Sequence, residues 1–487
     1  MRFKKIFNFV KKKRGLILKV LVGILILALL IELYNVNKSL PEGTSLEGEV
    51  YFVSEDSVDF LYDLTYMKDG ERVSEQVIFD KIFEMIDNAE EFILIDMFLW
   101  GSGDEDYRDL SGEMADHLVA KKEVNPNIKI NLITDEFNSV YKSYDEPNLA
   151  RIREAGVNIV YTDMNKMRDS NPVYSGFWRV LGYVWGLPSN YCKFSLISFG
   201  GKKTCVRSGL KLVNFKANHR KLIVADSGEK VVSLVTSANP HGGSSEHSNV
   251  GVYVEEKIYE DIYFGEKAIA DFSGEFLEHE FENVYESDSN DFSVQFLTEG
   301  KIAKNIVETI DETVGGESIE VMMFYISDRG VVESLINAAN RGVDVKLILD
   351  PNKDAFGMEK SGVPGRPVAN ELVEKTNGEI KVRWYDTHGE QFHTKIIVIR
   401  KKDGKTIVIL GSANLTKRNL RDYNLEADVK MIANSDSDVI QEIYVYFDKI
   451  WFNKNGIYTA DYEKYEDNSF LRHIQYRFQE WTGMSTF

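Results

Sequence analysis

Two short polar patterns each occur twice in this 487-residue chain, and this repetition constrains the fold more than any other feature of the sequence. In each copy a His-x-Lys triplet borders an apolar stretch and is followed by Ser-Ala-Asn. The histidine and the serine are 18 residues apart in the first copy and 19 in the second. The matched residues are His219, Lys221, Ser237 and Asn239, then His393, Lys395, Ser412 and Asn414. Such a repeat predicts that one constellation of residues is built twice, in two similar lobes.

The repeated residue types suit the chemistry of a phosphate diester. Because side chains alternate between the two faces of a strand, the histidine and lysine of each triplet are expected on the same face. Two imidazoles can then act as nucleophile and general acid, while two lysines and two asparagine amides hold phosphoryl oxygens where negative charge develops. This chemistry requires neither a metal nor a cofactor, and we expect none.

These residues resemble the signature of the phospholipase D superfamily, His-x-Lys, then four residues and Asp, then Gly/Ser-Ser-x-Asn. The first copy carries the full pattern with Asp226, whereas Arg400 stands at the Asp position of the second copy. The resemblance implies one site between two lobes, a phosphohistidine intermediate, and supporting roles for Asp226, Ser237 and Ser412. By analogy with related two-lobed enzymes, we expect His219 as nucleophile and His393 as general acid.

Members of this superfamily often carry an acidic residue some ten positions after Ser-x-Asn that orients a catalytic imidazole. Glu426 matches that pattern in the second half, and Gly251 stands at the aligned place in the first. We therefore expect Glu426 to orient His393, with Glu246 or a backbone carbonyl as the partner of His219. An ordinary exposed carboxylate is the alternative interpretation of Glu426.

The secondary structure predicted from hydrophobic periodicity repeats as well. Each half is expected to contain helix, strand, helix and strand in this order, with a closing helix after the motif. The predicted ranges are 77–89, 92–100, 110–121, 128–133 and 268–281 in the first half, and 302–314, 319–326, 330–339, 343–349 and 439–452 in the second. This alternation predicts two α/β lobes with mixed sheets flanked by helices.

The patterns divide the chain into a basic tail with a membrane anchor (1–34), a first lobe (35–285), a polar linker (286–293) and a second lobe with a C-terminal helix (294–487). The first lobe carries an insertion at about 162–211, because 58 residues separate Tyr161 from His219 where eight separate Tyr385 from His393. We expect the insertion beside the site. Of the remaining histidines, His241 and His247 follow Asn239 closely enough for one of them to line the pocket.

The insertion is rich in aromatic residues, with basic residues nearby. This composition fits either a membrane interface or a lid that packs its rings inward, and an apolar stripe near the C-terminus poses a similar choice between docking and membrane contact. The aromatic residues are Tyr174, Phe177, Trp178, Tyr183, Trp185, Tyr191 and Phe194, and the C-terminal stripe is Phe470, Leu471, Ile474, Phe478 and Trp481. The two cysteines, Cys192 and Cys205, also lie in the insertion, either bonded to each other or as free thiols.

The N-terminus predicts a membrane anchor. A strongly basic segment precedes an apolar run at 16–33, whose 18 residues suffice for one span. A cleaved signal peptide is the alternative, but no small-x-small cleavage site follows the run. Since positive charge favours the cytoplasmic side, we expect a single-pass protein of the cell membrane whose N-terminus is cytoplasmic and whose catalytic part is extracellular.

Charge argues against nucleic acid as a partner. The chain has a net charge of −19, and the eight basic residues and one acidic residue within 1–34 leave about −26 on the rest. Such a surface repels nucleic acid. We therefore expect membrane phospholipid as the substrate, with hydrolysis or phosphatidyl transfer as in the cardiolipin-synthase branch. An exported nuclease, or a lipid-binding pseudoenzyme as Arg400 and Gly251 suggest, is the alternative. The head group, the acceptor and the oligomeric state stay open.

Overall fold

The fold consists of two mixed β-sheets that face each other, with helices on their outer sides. A computed structural model describes residues 2–102, 107–185, 195–199, 202–277, 292–355 and 358–485. The described helices are α1 (Arg2–Asn37), α2 (Ile78–Asn88), α3 (Leu110–Val124), α4 (Pro147–Glu154), α5 (Pro172–Trp185), α6 (Val206–Leu212), α7 (Tyr259–Ser273), α8 (Gly300–Asp311), α9 (Arg329–Asn340), α10 (Gly365–Lys375), α11 (Lys417–Leu420), α12 (Asp438–Trp451) and α13 (Phe470–Thr482).

The described strands belong to two large sheets and three short hairpins. They are β1 (Glu47–Val53), β2 (Val58–Tyr62), β3 (Leu64–Lys68), β4 (Glu71–Glu75), β5 (Phe92–Met97), β6 (Lys129–Asp135), β7 (Asn158–Thr162), β8 (Ser195–Phe199), β9 (Lys202–Cys205), β10 (Lys221–Ser227), β11 (Lys230–Thr236), β12 (Val250–Val254), β13 (Phe292–Thr298), β14 (Ser318–Met323), β15 (Asp344–Leu349), β16 (Asp354–Ala355), β17 (Met358–Glu359), β18 (Lys381–Tyr385), β19 (Lys395–Arg400), β20 (Lys405–Gly411), β21 (Ala427–Asn434) and β22 (Thr459–Asp461).

The two large sheets repeat one topology. The first has the order β2-β12-β11-β10-β5-β6-β7, and the second has β1-β13-β21-β20-β19-β14-β15-β18-β22. In each sheet the strand that begins at the motif lysine, β10 or β19, lies antiparallel to both neighbours, and the three strands β5-β6-β7 or β14-β15-β18 run parallel. The predicted α/β class with mixed sheets flanked by helices is confirmed.

Strand β1 departs from the predicted domain division. It lies within the predicted first lobe, 35–285, yet it pairs with β13 at the edge of the nine-stranded sheet. The prediction is wrong for this strand because local periodicity indicates a strand without indicating its partner. Phe292 and Ser293, predicted as the end of the linker, begin β13, and residues 286–291 lie outside the described residues. The other domain bounds stay a prediction.

The closing helix of the first half was predicted too late in the chain. It is α7, Tyr259–Ser273, instead of 268–281. Gly274 ends it in the left-handed region at φ 83°, and its N–H bonds to the carbonyls of Ala270 and Asp271. Glycine adopts this conformation without a side-chain clash, so it is a common end point for helices. The remaining predicted helices and strands overlap observed ones.

Alternate residues of the central strands face different cores. Leu222 and Val224 of β10 pack into the core between the sheets, whereas Ile223 and Ala225 pack beneath the outer helices. This two-residue period is the one expected of a strand buried on both faces. Because β10 and β19 begin at Lys221 and Lys395, the two motifs lie at the starts of central strands.

Helix α1 contains a stretch that can cross a membrane. An 18-residue window of Lys13–Asn37 has a mean hydropathy of 2.8, and the whole stretch spans 25 residues. This exceeds the roughly 20 residues that a bilayer core requires. A helix that contains the predicted apolar run at 16–33 is therefore present. Its membrane topology stays a prediction.

The insertion at about 162–211 contains α5, the hairpin β8–β9 and α6. Cys205 at the end of β9 is disulfide-bonded. The interpretation as a free thiol is therefore wrong for Cys205, while Cys192 lies outside the described residues. The insertion packs against the segment that leads into β10, since Lys216 Nζ donates to Asp169 Oδ1 at 2.8 Å.

Arg220 joins the halves inside the protein. Its guanidinium donates to Glu266 Oε1 of α7 at 2.8 Å and to Glu299 Oε1, which precedes α8, at 2.7 Å. All three side chains are fully buried. Glu299 also accepts the backbone N–H of Glu426 at 3.0 Å. This buried cation therefore fixes the first triplet against the second half.

Replacing Arg220 should strongly destabilise the protein. Arg220→Met would leave two buried carboxylates without their cation, and we expect a loss of about 3–5 kcal/mol in the free energy of unfolding. Lys267→Met is the matched control, because it breaks an exposed pair with Asp271 on the same helix as Glu266. The measurement is denaturant unfolding of the full chain in detergent. Equal stability of the two variants would contradict this assignment.

Candidate active site

The two His-x-Lys triplets meet where the halves adjoin. The backbone N–H of His219 donates to the carbonyl of Leu425 at 2.9 Å, and the N–H of Ser248 donates to the carbonyl of Gln391 at 3.1 Å. Both histidines come just before β10 and β19, not within the strands as predicted. These two bridges place each triplet beside the segment that follows the Ser-Ala-Asn of the other half.

Each imidazole takes its partner from the other half. Nδ1 of His219 lies 2.8 Å from Oε2 of Glu426, and Nδ1 of His393 lies 3.1 Å from Oδ1 of Asn249. Because a carboxylate or amide oxygen only accepts, Nδ1–H is the donor in both bonds. Each Nε2 is thereby left as the reactive ring atom.

The expected partner of Glu426 was therefore wrong. We expected Glu426 to orient His393, and Glu246 or a backbone carbonyl to serve His219. Instead Glu426 binds His219, and Glu246 pairs with Arg72 at 2.6 Å. The reason is that the segment after the Ser-Ala-Asn of each half contacts the histidine of the other half. A comparison within one half cannot reveal such a contact. Glu426 is fully buried, so the alternative of an exposed carboxylate is wrong as well.

The position aligned with Glu426 is Asn249 and not Gly251. Ser237 Oγ donates to Asn249 Oδ1 at 3.1 Å, and Ser412 Oγ donates to Glu426 Oε2 at 2.6 Å. The two pairs are 12 and 14 residues apart in sequence, so a fixed spacing misaligned them. Ser237 and Ser412 thus hold the groups that orient the imidazoles.

The two lysines occupy matching buried positions. Lys221 Nζ donates to the carbonyl of His219 at 2.6 Å, and Lys395 Nζ donates to that of His393 at 2.7 Å. Each ammonium lies over an aromatic ring, Phe98 at 5.3 Å and Phe324 at 5.7 Å from the ring centroid. An aromatic face attracts a cation, most strongly where water is excluded.

Phe98 and Phe324 were missed by the sequence analysis. Their rings lie 5.0 Å from His219 and 5.4 Å from His393 respectively, between centroids. Each phenylalanine directly follows the methionine that ends a buried strand, Met97 of β5 or Met323 of β14. This matched ending was a usable signal, because it occurs at the same place in the repeat.

The motif asparagines lie in the same region and are both buried. Asn239 Oδ1 accepts the N–H of Leu99 at 3.2 Å. Among the described residues, Asn414 Oδ1 has no hydrogen-bond partner. A buried acceptor without a partner costs free energy, so a ligand group that donates a hydrogen bond to Asn414 Oδ1 would be stabilising.

Burial shifts the titration of the whole group. It lowers the pKa of His219 to about 4 and that of Lys221 to about 7, and it places the pKa values of His393 and Lys395 well below their usual ranges. The lysine of the opposite triplet further lowers the pKa of each histidine, so the four groups lie within electrostatic range. Both imidazoles are therefore neutral near pH 7 in the free protein.

Glu426 differs from its counterpart Asn249 in charge. Although burial opposes ionisation, His219 and Lys221 hold the pKa of Glu426 below its usual value. A carboxylate therefore faces His219, while a neutral amide faces His393. The two imidazoles therefore have different electrostatic environments, although their hydrogen-bond partners occupy matching positions in the two halves.

Asp226 supports the fold beside the site. Its carboxylate accepts the backbone N–H groups of Glu90, Glu91 and Phe92 at 2.8–3.0 Å, which fixes the start of β5 against β10. At the matching position, Arg400 pairs with Glu320 at 2.7 Å. The presence of Arg400 in place of the motif Asp thus changes a contact at the end of strand β19.

Two further carboxylates hold the backbone just before each histidine. Asp135 accepts the N–H of Asn218 at 2.7 Å, and Asp350 accepts that of Phe392 at 2.8 Å. Burial raises the pKa of Asp135 to about 6 and that of Asp350 to about 7. Strand β6, which ends at Asp135, and strand β15, which ends just before Asp350, therefore position the two triplets.

His247 is the additional histidine beside the site. Its ring centroid lies 5.8 Å from that of His393, and its Nδ1 accepts the N–H of Gln391 at 3.2 Å. Burial lowers the pKa of His247 to about 3. A neutral third imidazole therefore packs against His393.

Known proteins are similar to this chain in sequence or in fold. The family described as "Cardiolipin synthase, PLD-like domain" matches residues 306–451. Phospholipase D of Rickettsia prowazekii (strain Madrid E) is 30% identical over 188 residues, which cover 37% of this chain and 80% of the relative. Phospholipase D of Rickettsia typhi (strain ATCC VR-144 / Wilmington) is 29% identical over 188 residues, 37% of this chain and 81% of the relative.

A solved structure is similar over most of the chain. The crystal structure of phosphatidylserine synthase from Haemophilus influenzae Rd KW20 has a TM-score of 0.56 and 12% sequence identity, covering 94% of this chain and 98% of that one. At this identity the likeness concerns the fold alone. The shared sequence over most of the length of the Rickettsia relatives shows that this chain belongs to the phospholipase D superfamily.

Proposed function

We propose that this protein is a membrane-anchored phospholipase D-type enzyme that hydrolyses phospholipid phosphodiesters or transfers their phosphatidyl group to an alcohol through a phosphohistidine. Family membership supports a phospholipid phosphodiesterase or phosphatidyltransferase. The observation that carries the mechanism is the crossed pair of imidazoles, with Glu426 on His219 and Asn249 on His393. Transfer to a second phosphatidylglycerol, as in cardiolipin synthesis, is one form of this reaction.

Substrate binding would supply the negative charge that the free site lacks. A phosphodiester carries one such charge, and an anion between Lys221 and Lys395 favours their protonated forms. Asn239 and Asn414 provide amide donors for the same oxygens. Since both lysines are buried, their attraction to the phosphate is screened less by water.

The first step would transfer the phosphatidyl group to His219. Nε2 of the neutral ring attacks phosphorus, and the bond to the leaving alcohol oxygen breaks. His393, whose protonated form the charge of the bound phosphate would favour, gives that oxygen its proton from Nε2. The imidazole of His219 becomes cationic as the P–N bond forms. The carboxylate of Glu426 stabilises that charge, which is the physical reason to assign His219 as the nucleophile.

The neutral Asn249 suits His393 to the other role. Without a facing carboxylate the imidazolium holds its proton less tightly and is a stronger acid. In the second step neutral His393 takes a proton from water or an alcohol, whose oxygen attacks phosphorus. The P–N bond breaks, and His219 returns to its neutral form. Water yields phosphatidic acid, and an alcohol yields a phosphatidyl ester.

Membrane lipid is favoured over nucleic acid by charge and by the anchor. About 26 net negative charges outside residues 1–34 oppose a polyanion. Helix α1 would instead keep the enzyme at a lipid surface, with its basic N-terminus in the cytoplasm and its catalytic part outside.

Product analysis tests the proposed substrate. The full chain in detergent is incubated with mixed phospholipids and a short alcohol, and separately with single-stranded DNA. We expect phosphatidic acid or phosphatidyl-alcohol by mass spectrometry and intact DNA. Released nucleotides would establish the nuclease alternative, and unchanged lipid and DNA would favour a binding protein.

The two histidine variants should behave differently. His219→Asn removes the nucleophile, so turnover and the acid-labile adduct should both disappear. His393→Asn should nearly abolish turnover of ordinary lipids but still form adduct from a p-nitrophenyl ester, whose leaving group needs no proton. The half-buried His117, paired with Asp87, gives the control His117→Asn with unchanged kinetics. Exchanged behaviour would exchange the roles of His219 and His393.

The pH dependence should respond to charge at position 249. Asn249→Asp would place a carboxylate beside His393 and raise its pKa, so the general acid would keep its proton to higher pH. We expect the alkaline limb of the kcat/KM profile to move up by about one unit or more. Glu426→Gln should lower the rate about 10²–10⁴-fold without an upward shift of that limb. An unmoved limb in Asn249→Asp would exclude His393 as the acid that the profile reports.

A further inference from the structure

Helix α13 docks on the protein with one face and exposes an apolar stripe on another. Tyr476 is fully buried, and Glu480 accepts Ser327 Oγ at 2.7 Å on the inward face. The exposed stripe, with the exposed fraction of each residue, is Phe470 (74%), Leu471 (76%), Ile474 (48%), Phe478 (51%) and Trp481 (74%). At about 100° per residue these five fall within an arc of about 100°, as in a helix that lies at a membrane surface. The stripe is therefore not the face by which α13 docks on the protein.

Helix α5 of the insertion packs closely on the proposed anchor. Gly176 leaves no room for a Cβ against the carbonyl of Ala28 in α1, and Ala28 itself is buried. On an adjacent face α5 exposes Val173, Phe177 and Leu181, which are spaced by four residues and thus lie on one stripe. Since Ala28 lies well inside the apolar span, α5 runs beside part of that span.

Contacts connect α13 to α5 and α1. Gly483, which ends α13 at φ 70°, leaves no room for a Cβ against the carbonyl of Ser170, two residues before α5. The N–H of Asp169 donates to the carbonyl of Asn35 in α1 at 3.2 Å. The neighbouring Arg168 donates from Nε to the carbonyl of Lys38 at 3.0 Å. The anchor is thus attached through several contacts and not by a free linker.

We propose that the stripes of α13 and α5 insert into the leaflet from which α1 emerges, so that three helices hold the catalytic part in one orientation on the bilayer. This rests on the proposed anchoring by α1. The lipid bilayer is the occupant that fits, because α5 packs on the apolar span, α13 ends beside Ser170 just before α5, and both stripes consist of Phe, Leu, Ile, Val and Trp. Arg477, exposed on α13, can meet anionic head groups. An enzyme held in this way takes its lipid from the membrane that carries it.

Fluorescence quenching tests the insertion in the full chain, reconstituted in vesicles of phosphatidylethanolamine and phosphatidylglycerol. Single thiols are introduced by Ile474→Cys, Phe478→Cys and Phe177→Cys and labelled with bimane, which leaves the disulfide-bonded Cys205 unlabelled. Leu25→Cys reports on the span. Val124→Cys is the control, because Val124 at the end of α3 is an apolar residue with 86% exposure outside both stripes.

We expect labels at 474, 478 and 177 to be quenched by nitroxide lipids and protected from aqueous iodide, and the label at 124 to show the reverse. Iodide quenching at 474 and 478 equal to that at 124 would overturn the proposal. Protection from both quenchers would also overturn it, in favour of a second copy or another protein. Iodide quenching at 25 alone would refute the spanning anchor while retaining insertion of the stripes. Because no readout uses turnover, failure of the proposed reaction would be recognised separately.

Discussion

The hydrogen bonds that cross between the halves, His219 to Glu426 and His393 to Asn249, are the contacts on which the site depends. A buried imidazole can work only if its ring is held in one tautomer and its charge is balanced when it forms. Both partners come from the opposite half, so the two sheets must be packed before either histidine is oriented. Arg220, held between Glu266 and Glu299, lies directly behind this junction. A change that weakens the packing between the two halves is therefore expected to disturb the orientation of both histidines as well.

The two halves differ at a few of their matching positions, and a second substitution compensates for one of these differences. The N–H of Ala238 is bound by Thr236 Oγ1 in one half, whereas the N–H of Ala413 is bound by Asp428 Oδ1 in the other. Gly411, the counterpart of Thr236, leaves the room that Asp428 occupies. The exchange of Glu426 for Asn249 has no such compensation, so it produces two chemically different imidazoles. The duplicated His-x-Lys and Ser-Ala-Asn residues thus give two histidines that are suited to different steps of the reaction.

Local patterns in the sequence were sufficient for the fold class and for the residues of both triplets. Strand and helix periods are local, so the repeated order of elements could be predicted before any pairing was known. Pairing between distant segments was not predictable in this way, which is why residues 47–53 were placed in the first lobe and Glu426 was assigned to His393. The end of α7 was different, because Gly274 was visible in the sequence and was overlooked. The catalytic roles and most domain bounds stay predictions.

Strand β1 has a consequence for how the chain acquires its fold. It precedes the other described strands in the chain, yet its partner is far along the chain, as the bond between Gly48 and Gln295 across 247 residues illustrates. Contacts of such long range close slowly, because the entropy of a large loop is lost before the contact forms. An edge strand that stays unpaired during synthesis is exposed to wrong pairing. Folding of the second sheet therefore waits for the C-terminal half, and a chain interrupted midway keeps an open sheet edge beside its apolar helix.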